Sequence, residues 1–168
     1  SSRFASRIGP RGEAVPLMEQ DRSKWDRAAI ARGVECLARV QQLGGDLGLY
    51  ALQASIAACH ATAPTGAATD WGRIAALYDV LVALAPQPVV EINRAVAHAM
   101  VFGPDAGLEI LDGLADEPSL ANYHLLPAVR GDLLERAGRH SEASAAFHRA
   151  AELAQKSREK SVLLARAD

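Results

Sequence analysis

The sequence predicts an all-α fold, a stack of antiparallel helix hairpins with about eight helices. Three observations carry this. Alanine supplies much of the 49% hydrophobic content while aromatics make up 5%, and alanine is the best helix former and allows close helix packing. Apolar residues recur at three- and four-residue steps, without the strict alternation of a half-buried strand. The stretch Tyr123–Leu153 reads as two amphipathic helices joined at Gly138-Arg139-His140. Within it Gly131 precedes Ala143 by twelve residues, Phe147 follows Ala143 by four, and Ala150 follows by three more. Small residues at such points let two helices touch backbone to backbone, and an aromatic then fills the space toward the next pair.

Related units lie upstream. Ile110 follows Ala106 by four, and Ile74, Tyr78, Leu81 and Pro86 match a second helix with a proline ending it. The anchors Ile74, Ala106 and Ala143 are about one repeat of ~34 residues apart, so the array is tetratricopeptide-like. Pro127, Arg130 and Leu134 stand where that pattern prefers Trp, Leu and Tyr. A plain antiparallel α-bundle is the alternative.

The elements follow in order. Residues 1–20, rich in Gly, Pro and Arg, read as an N-terminal arm or linker, solvated or tethered to a preceding domain, and residues 21–168 as the helical-repeat domain. Val15, Leu17 and Met18 of the arm can lie on the first helix. Asp21 or Ser23 is placed to cap that helix, which runs to about Leu43 with Trp25, Ala29, Val34, Leu37 and Val40 on its apolar side, and Gly44-Gly45 ends it. The second helix spans Leu49 to His60, with Tyr50, Gln53, Ile56 and His60 near one face. After a small-residue loop, Thr69 or Asp70 caps Trp71–Leu84, which stops before Pro86. Pro88 opens a helix to Val101 that buries Val89, Ile92, Val96 and Met100. A shorter helix follows Gly103-Pro104 to Leu114. Pro127 belongs in a first turn or it kinks its helix. Residues 157–167 form a terminal cap with Val162 and Leu163 on one face.

Composition excludes several functions. The net charge of −2 gives no general attraction to nucleic acid. No apolar run is long enough for a membrane span, and unpaired Cys36 and Cys59 read as two small buried thiols in a reducing, cytoplasmic setting. His60, His98, His124, His140 and His148 form no metal-binding spacing, and no phosphate loop or nucleophile elbow is present. Asp79 and Asp112 read as lone solvated carboxylates. The chain therefore reads as non-catalytic, without cofactor or metal. Polar residues inside apolar helices, Gln53, Asn93 and Arg94, either line a concave groove for a partner or fix helix packing. Trp71, beside Asp70, is either a core wedge or a groove anchor. Arg22 and Asp26 would share a helix face if the helix began at Asp21.

Seven blocks occur in order: Leu17–Asp26 (LMEQDRSKWD), Leu52–His60 (LQASIAACH), Thr69–Tyr78 (TDWGRIAALY), Pro88–Ala97 (PVVEINRAVA), Gly103–Leu111 (GPDAGLEIL), Tyr123–Leu126 (YHLL) and Gly138–Ala143. The series resembles the tetratricopeptide-like C-terminal extension of a group of bacterial extracytoplasmic-function sigma factors. Pro127 and Lys24 depart from the pattern, and residues 1–16 match it poorly. The resemblance implies a regulatory module contacting RNA polymerase core or the N-terminal sigma domains, which are absent here and through which alone promoter DNA would be bound. The candidate interaction surface is Arg22, Trp25, Asp26, Gln53, His60, Asp70, Trp71, Asn93, Arg94, Tyr123 and His124. Rival readings are a small-molecule sensor, with Gln53, His60, Asn93 and Tyr123 facing a pocket, and an enzyme pairing His60 or His124 with a carboxylate.

Overall fold

The structure, a computed structural model, describes residues 3, 6–8, 15, 17, 19–42 and 48–154. Among them the fold is all-α, with seven α-helices and no strand. These are α1 (Arg27–Gln42), α2 (Leu49–Thr62), α3 (Trp71–Leu84), α4 (Pro88–Phe102), α5 (Pro104–Asp112), α6 (Leu125–Arg136) and α7 (His140–Leu153). Consecutive helices pack as hairpins, α1 on α2, α4 on α5 and α6 on α7, with α5 also on α6. That is the packing of a tetratricopeptide-like array. The chain forms two compact units, Ser1–Leu77 and Tyr78–Asp168. The expected cap over 157–167, Met18 and the Gly44-Gly45 turn lie outside the described residues.

In the Tyr78–Asp168 unit a single hydrophobic cluster joins α4 to α7. Ile92, Ala95 and Ala99 of α4 meet Leu108 and Leu111 of α5, Leu133 and Leu134 of α6, and Ala143 and Phe147 of α7. Two glycines set the closest approaches. A Cβ on Gly131 would stand 2.7–2.9 Å from the Phe147 ring. A Cβ on Gly107 would stand 2.6 Å from Leu133 Cδ1 and 2.7 Å from the Ala95 carbonyl oxygen. Phe147 therefore packs directly on Gly131, within the cluster that α6 and α7 share with α4 and α5.

The upstream anchor also shifts. Ala106 and Ile110 are only half-buried, whereas Gly107 and Leu111 are buried. The equivalent sets are Ala95, Gly107 and Leu111, and Gly131, Ala143 and Phe147, each offset by 36 residues. The four-residue step between Ala106 and Ile110 is shared by the neighbouring pair, so spacing alone did not fix the register. In α4, Ala95 and Ala99 are the small partners that meet Gly107, while Val89 is exposed and Val96 and Met100 are only half-buried.

The helix ends have local causes. Pro88 and Pro104 open α4 and α5, where a missing N–H is harmless. Pro127 lies in the first turn of α6. Gly138, at φ 75°, takes the left-handed conformation after α6. There Arg139 N donates to Leu134 O and Gly138 N to Glu135 O, a Schellman closure that satisfies the last carbonyls.

The N-terminal region departs from expectation. Arg22–Lys24 is a 3-10 turn capped by Asp21, whose side chain accepts from Ser23 N. The backbone is extended at Trp25, and α1 begins only at Arg27, with Asp26 Oδ1 accepting from Ala29 N at 2.9 Å. Arg22 and Asp26 thus share no helix face. Two aspartates, each offering a local acceptor, favour two short caps over one continuous helix.

Gly131→Ala is expected to destabilise the protein by about 1–3 kcal/mol through overpacking on Phe147. Gly107→Ala should cost more, since the Ala95 backbone cannot step aside as a ring can. Gly33, whose Cβ would meet nothing within 4 Å, should instead gain up to about 1 kcal/mol as alanine. Urea midpoints of the three variants check the order, and equal midpoints for Gly131→Ala and wild type would refute the close approach.

Candidate functional site

The Ser1–Leu77 unit gathers four of the candidate residues into one corner. Arg22 is 4% exposed and Trp25 3%. Nη1 of Arg22 donates to His60 O at 2.8 Å and to Ala63 O at 3.0 Å, and Nη2 donates to Thr69 Oγ1 at 3.2 Å. The two carbonyls lie at the end of α2, where helix acceptors lack intrahelical donors and a positive charge suits the dipole. Arg22 is therefore the C-terminal cap of α2, supplied from 38 residues upstream. Its guanidinium also lies 5.0 Å from the Trp25 ring centre, with that of Arg3 at 5.7 Å.

Trp25 is held in turn by its indole N–H, which donates to Ser6 Oγ at 2.7 Å. Ser6 Oγ reaches Gln20 Oε1, and Gln20 Nε2 donates to Val15 O. Ser6, Val15 and Gln20 of the N-terminal arm are thus linked to Trp25. No periodicity marks Ser6, so sequence reasoning had no signal for it. Of Thr69 and Asp70, the two residues placed to cap α3, Asp70 does so, accepting from Arg73 N at 2.9 Å, while Thr69 Oγ1 accepts from Arg22.

His60 meets Trp71 edge to face, ring centres 5.2 Å apart. Burial first, then the charges of Arg22 and Arg3, push the His60 pKa down to about 4. The imidazole is therefore neutral near pH 7. His60 Nδ1, Trp71 Nε1 and Arg22 Nε are buried without a hydrogen-bond partner among the described residues. Arg22 and Trp25 are thus interior residues of the unit, a correction to their place on an interaction surface. Cys59 is buried, and desolvation raises its thiol pKa, which keeps it protonated. Cys36 is exposed, against expectation.

The remaining candidates are dispersed. Asp26, Gln53 and Asp70 are exposed in the first unit, and Asn93 is exposed in the second. Arg94 is not free: Nε donates to Asp79 Oδ1 at 2.6 Å and Nη1 to Glu91 Oε2 at 3.1 Å. His98 Nε2 lies 2.9 Å from the same Asp79 oxygen. Asp79 is thus a shared acceptor between α3 and α4, and these contacts hold its pKa below the ordinary carboxylate value despite partial burial. Asp112 accepts from Arg130 at 2.6 Å. Neither aspartate is lone, because each meets an arginine on a neighbouring helix. Tyr123 leans on the second unit's core cluster, with the His124 ring 6.0 Å away. Among the described residues, no three His, Cys, Asp or Glu side chains assemble as a metal site would require, and no helix is long and apolar enough to cross a membrane.

Comparison with known proteins gives two matches. Residues 1–41, which carry Ser6, Arg22, Trp25 and most of α1, match the model of a family of unknown function, DUF6596. An uncharacterized protein of Rhizobium meliloti (strain 1021) is 39% identical over 153 residues, covering 91% of this chain and 36% of that protein. The chain thus spans little more than a third of that relative's length. No solved structure matches the chain significantly.

Two predictions follow from the corner. Arg22→Ala removes the donor to the His60 and Ala63 carbonyls, and an acceptor left unsatisfied in the interior costs about 1–3 kcal/mol. Arg22→Lys should recover only part of the loss, since a compact ammonium cannot span the three acceptors as a planar fork does. Denaturant midpoints of both variants test this, and a stable Arg22→Ala would remove the cap. The second concerns pH. The folded pKa of His60 lies below its ordinary value of 6.5, so the unfolded chain binds the extra proton first. The His60 contribution to stability should be constant above pH ~6.5, fall as pH drops toward about 4, and level off below. His60→Phe, which keeps the aromatic contact, should flatten the thermal-midpoint profile in that window. Superimposable profiles would show that His60 is not held neutral.

Proposed function

We propose that the chain is a non-catalytic regulatory domain of a bacterial extracytoplasmic-function sigma factor, working in the cytoplasm by contacts with the sigma core domains or with RNA polymerase. The observation that carries this is the ordered series of sequence blocks from Leu17 to Ala143, set in a tetratricopeptide-like array. Such arrays present extended surfaces built from successive hairpins, suited to holding a segment of another protein. The structure supports the reading in a second way. The first block, LMEQDRSKWD, contributes the Arg22 and Trp25 plug that joins the arm to the α2–α3 loop. A match spanning about a third of a longer relative suits a module that acts within a larger polypeptide, with promoter DNA met only through other domains.

In this reading the surface residues are those left exposed, Gln53 and Asn93 among them, while Arg22 and Trp25 hold the fold. The test is a pull-down of the immobilised chain against the sigma core domains and against core polymerase, separately. Retention of the sigma domains means intramolecular control, and retention of polymerase alone means an added recruitment surface. Retention of neither sinks the proposal and turns attention to small ligands.

A further inference from the structure

The α1–α2 hairpin is unusual for its open packing. None of the described α1 side chains is buried, and Val34 is 37% exposed. Ile30, Val34 and Leu37 of α1 face Ala54, Ala57 and Ala61 of α2 across a cleft of about 320 Å³. Gly33 lies on the same wall, and a side chain there would project into open space. Arg3 stands at the cleft.

A second observation concerns charge. Arg3, Arg7, Arg22 and Arg27 are near enough to act on one another, Arg3 with Arg7 and Arg22 with both Arg3 and Arg27. Among the described residues none of the four forms an ion pair with a carboxylate. The nearby acids are otherwise engaged, Asp21 with Ser23 and Lys24 and Asp26 with the start of α1. Like charges gathered without counter-ions favour an anionic partner. An apolar cleft with Arg3 on its wall favours a partner that is apolar along one face and acidic at one end.

We propose that the α1–α2 cleft and its arginine corner form a docking site for an acidic amphipathic helix of a partner protein. Its apolar side chains enter between Val34 and Ala57, and its carboxylates lie on Arg3, Arg7 and Arg27. The small α2 residues allow the close approach that helix-in-groove recognition uses, and the charges steer the encounter and fix orientation. Nucleic acid would use the arginines but leave the cleft empty. The inference rests on the interaction-module reading above and names the partner chemistry for it.

The experiment uses the full chain and a short fluorescein-labelled amphipathic helix with a leucine stripe and glutamates at one end, followed by anisotropy. Saturable binding is expected, weakened at least about tenfold, or ~1.4 kcal/mol, by changing the peptide's glutamates to glutamine or by scrambling its stripe. Gly33→Leu should fill the cleft and remove binding while keeping or raising the thermal midpoint, since leucine is the better helix former. Arg7→Glu with Arg27→Glu should also remove binding without unfolding, because both residues are exposed and a glutamate suits the first turn of α1. Equal binding by the scrambled peptide or by Gly33→Leu would overturn the proposal, as would tighter binding to duplex DNA or to anionic vesicles. A pull-down that succeeds and survives both variants would keep the regulatory reading and place its contact elsewhere.

Discussion

The first unit depends on one buried guanidinium. Arg22 brings together three pieces of chain: the turn before α1, the end of α2 and the loop leading to α3. A buried charge is costly to desolvate, and here it is met by two carbonyls, a hydroxyl and an aromatic face. The arrangement is stable because helix-end carbonyls need donors in any case. Arg22 thus satisfies α2 while its own charge is compensated. Trp25 fills the space beneath it, and Ser6 holds Trp25 by its indole N–H.

The second unit is organised differently, by contact distance. Gly107 and Gly131 bring helices closer than any other residue permits, and leucines and Phe147 close around them. Polar pairs then decorate the helix pairs from outside: Arg94 on Asp79 and Arg130 on Asp112 as ion pairs, His98 on Asp79 by a hydrogen bond. Their exposure makes them modest contributors to stability, but they fix which helix faces meet. One chain therefore combines a polar lock and a close-packed apolar stack.

Much of the fold was legible in the sequence. Proline and glycine mark nearly every helix end, and α3 and the turn at Gly138 fall where the punctuation puts them. The register of the repeat was less legible, because Ala106 and Gly107 both offer a small residue followed by an apolar one four positions on. The candidate site was legible as a list of residues and illegible as a geometry. The notable residues of LMEQDRSKWD are plain in the sequence, but an arginine beside charged neighbours reads as surface. Nothing local reveals that its acceptors lie in a loop some forty positions later. Asp79 and Asp112 were misjudged for the same reason, since their partners belong to other helices.

The reach of Arg22 has a consequence for biosynthesis. Its acceptors follow 38 to 47 residues later, whereas the α6–α7 hairpin closes over a few residues. During translation at ~5–20 residues per second, Arg22 leaves the ribosome on the order of several seconds before Thr69. Through that interval α2 has no cap from Arg22, and the guanidinium has none of its three later acceptors. The corner is a late event in the maturation of its unit, completed only when the end of α2 and the loop before α3 arrive to take up the guanidinium.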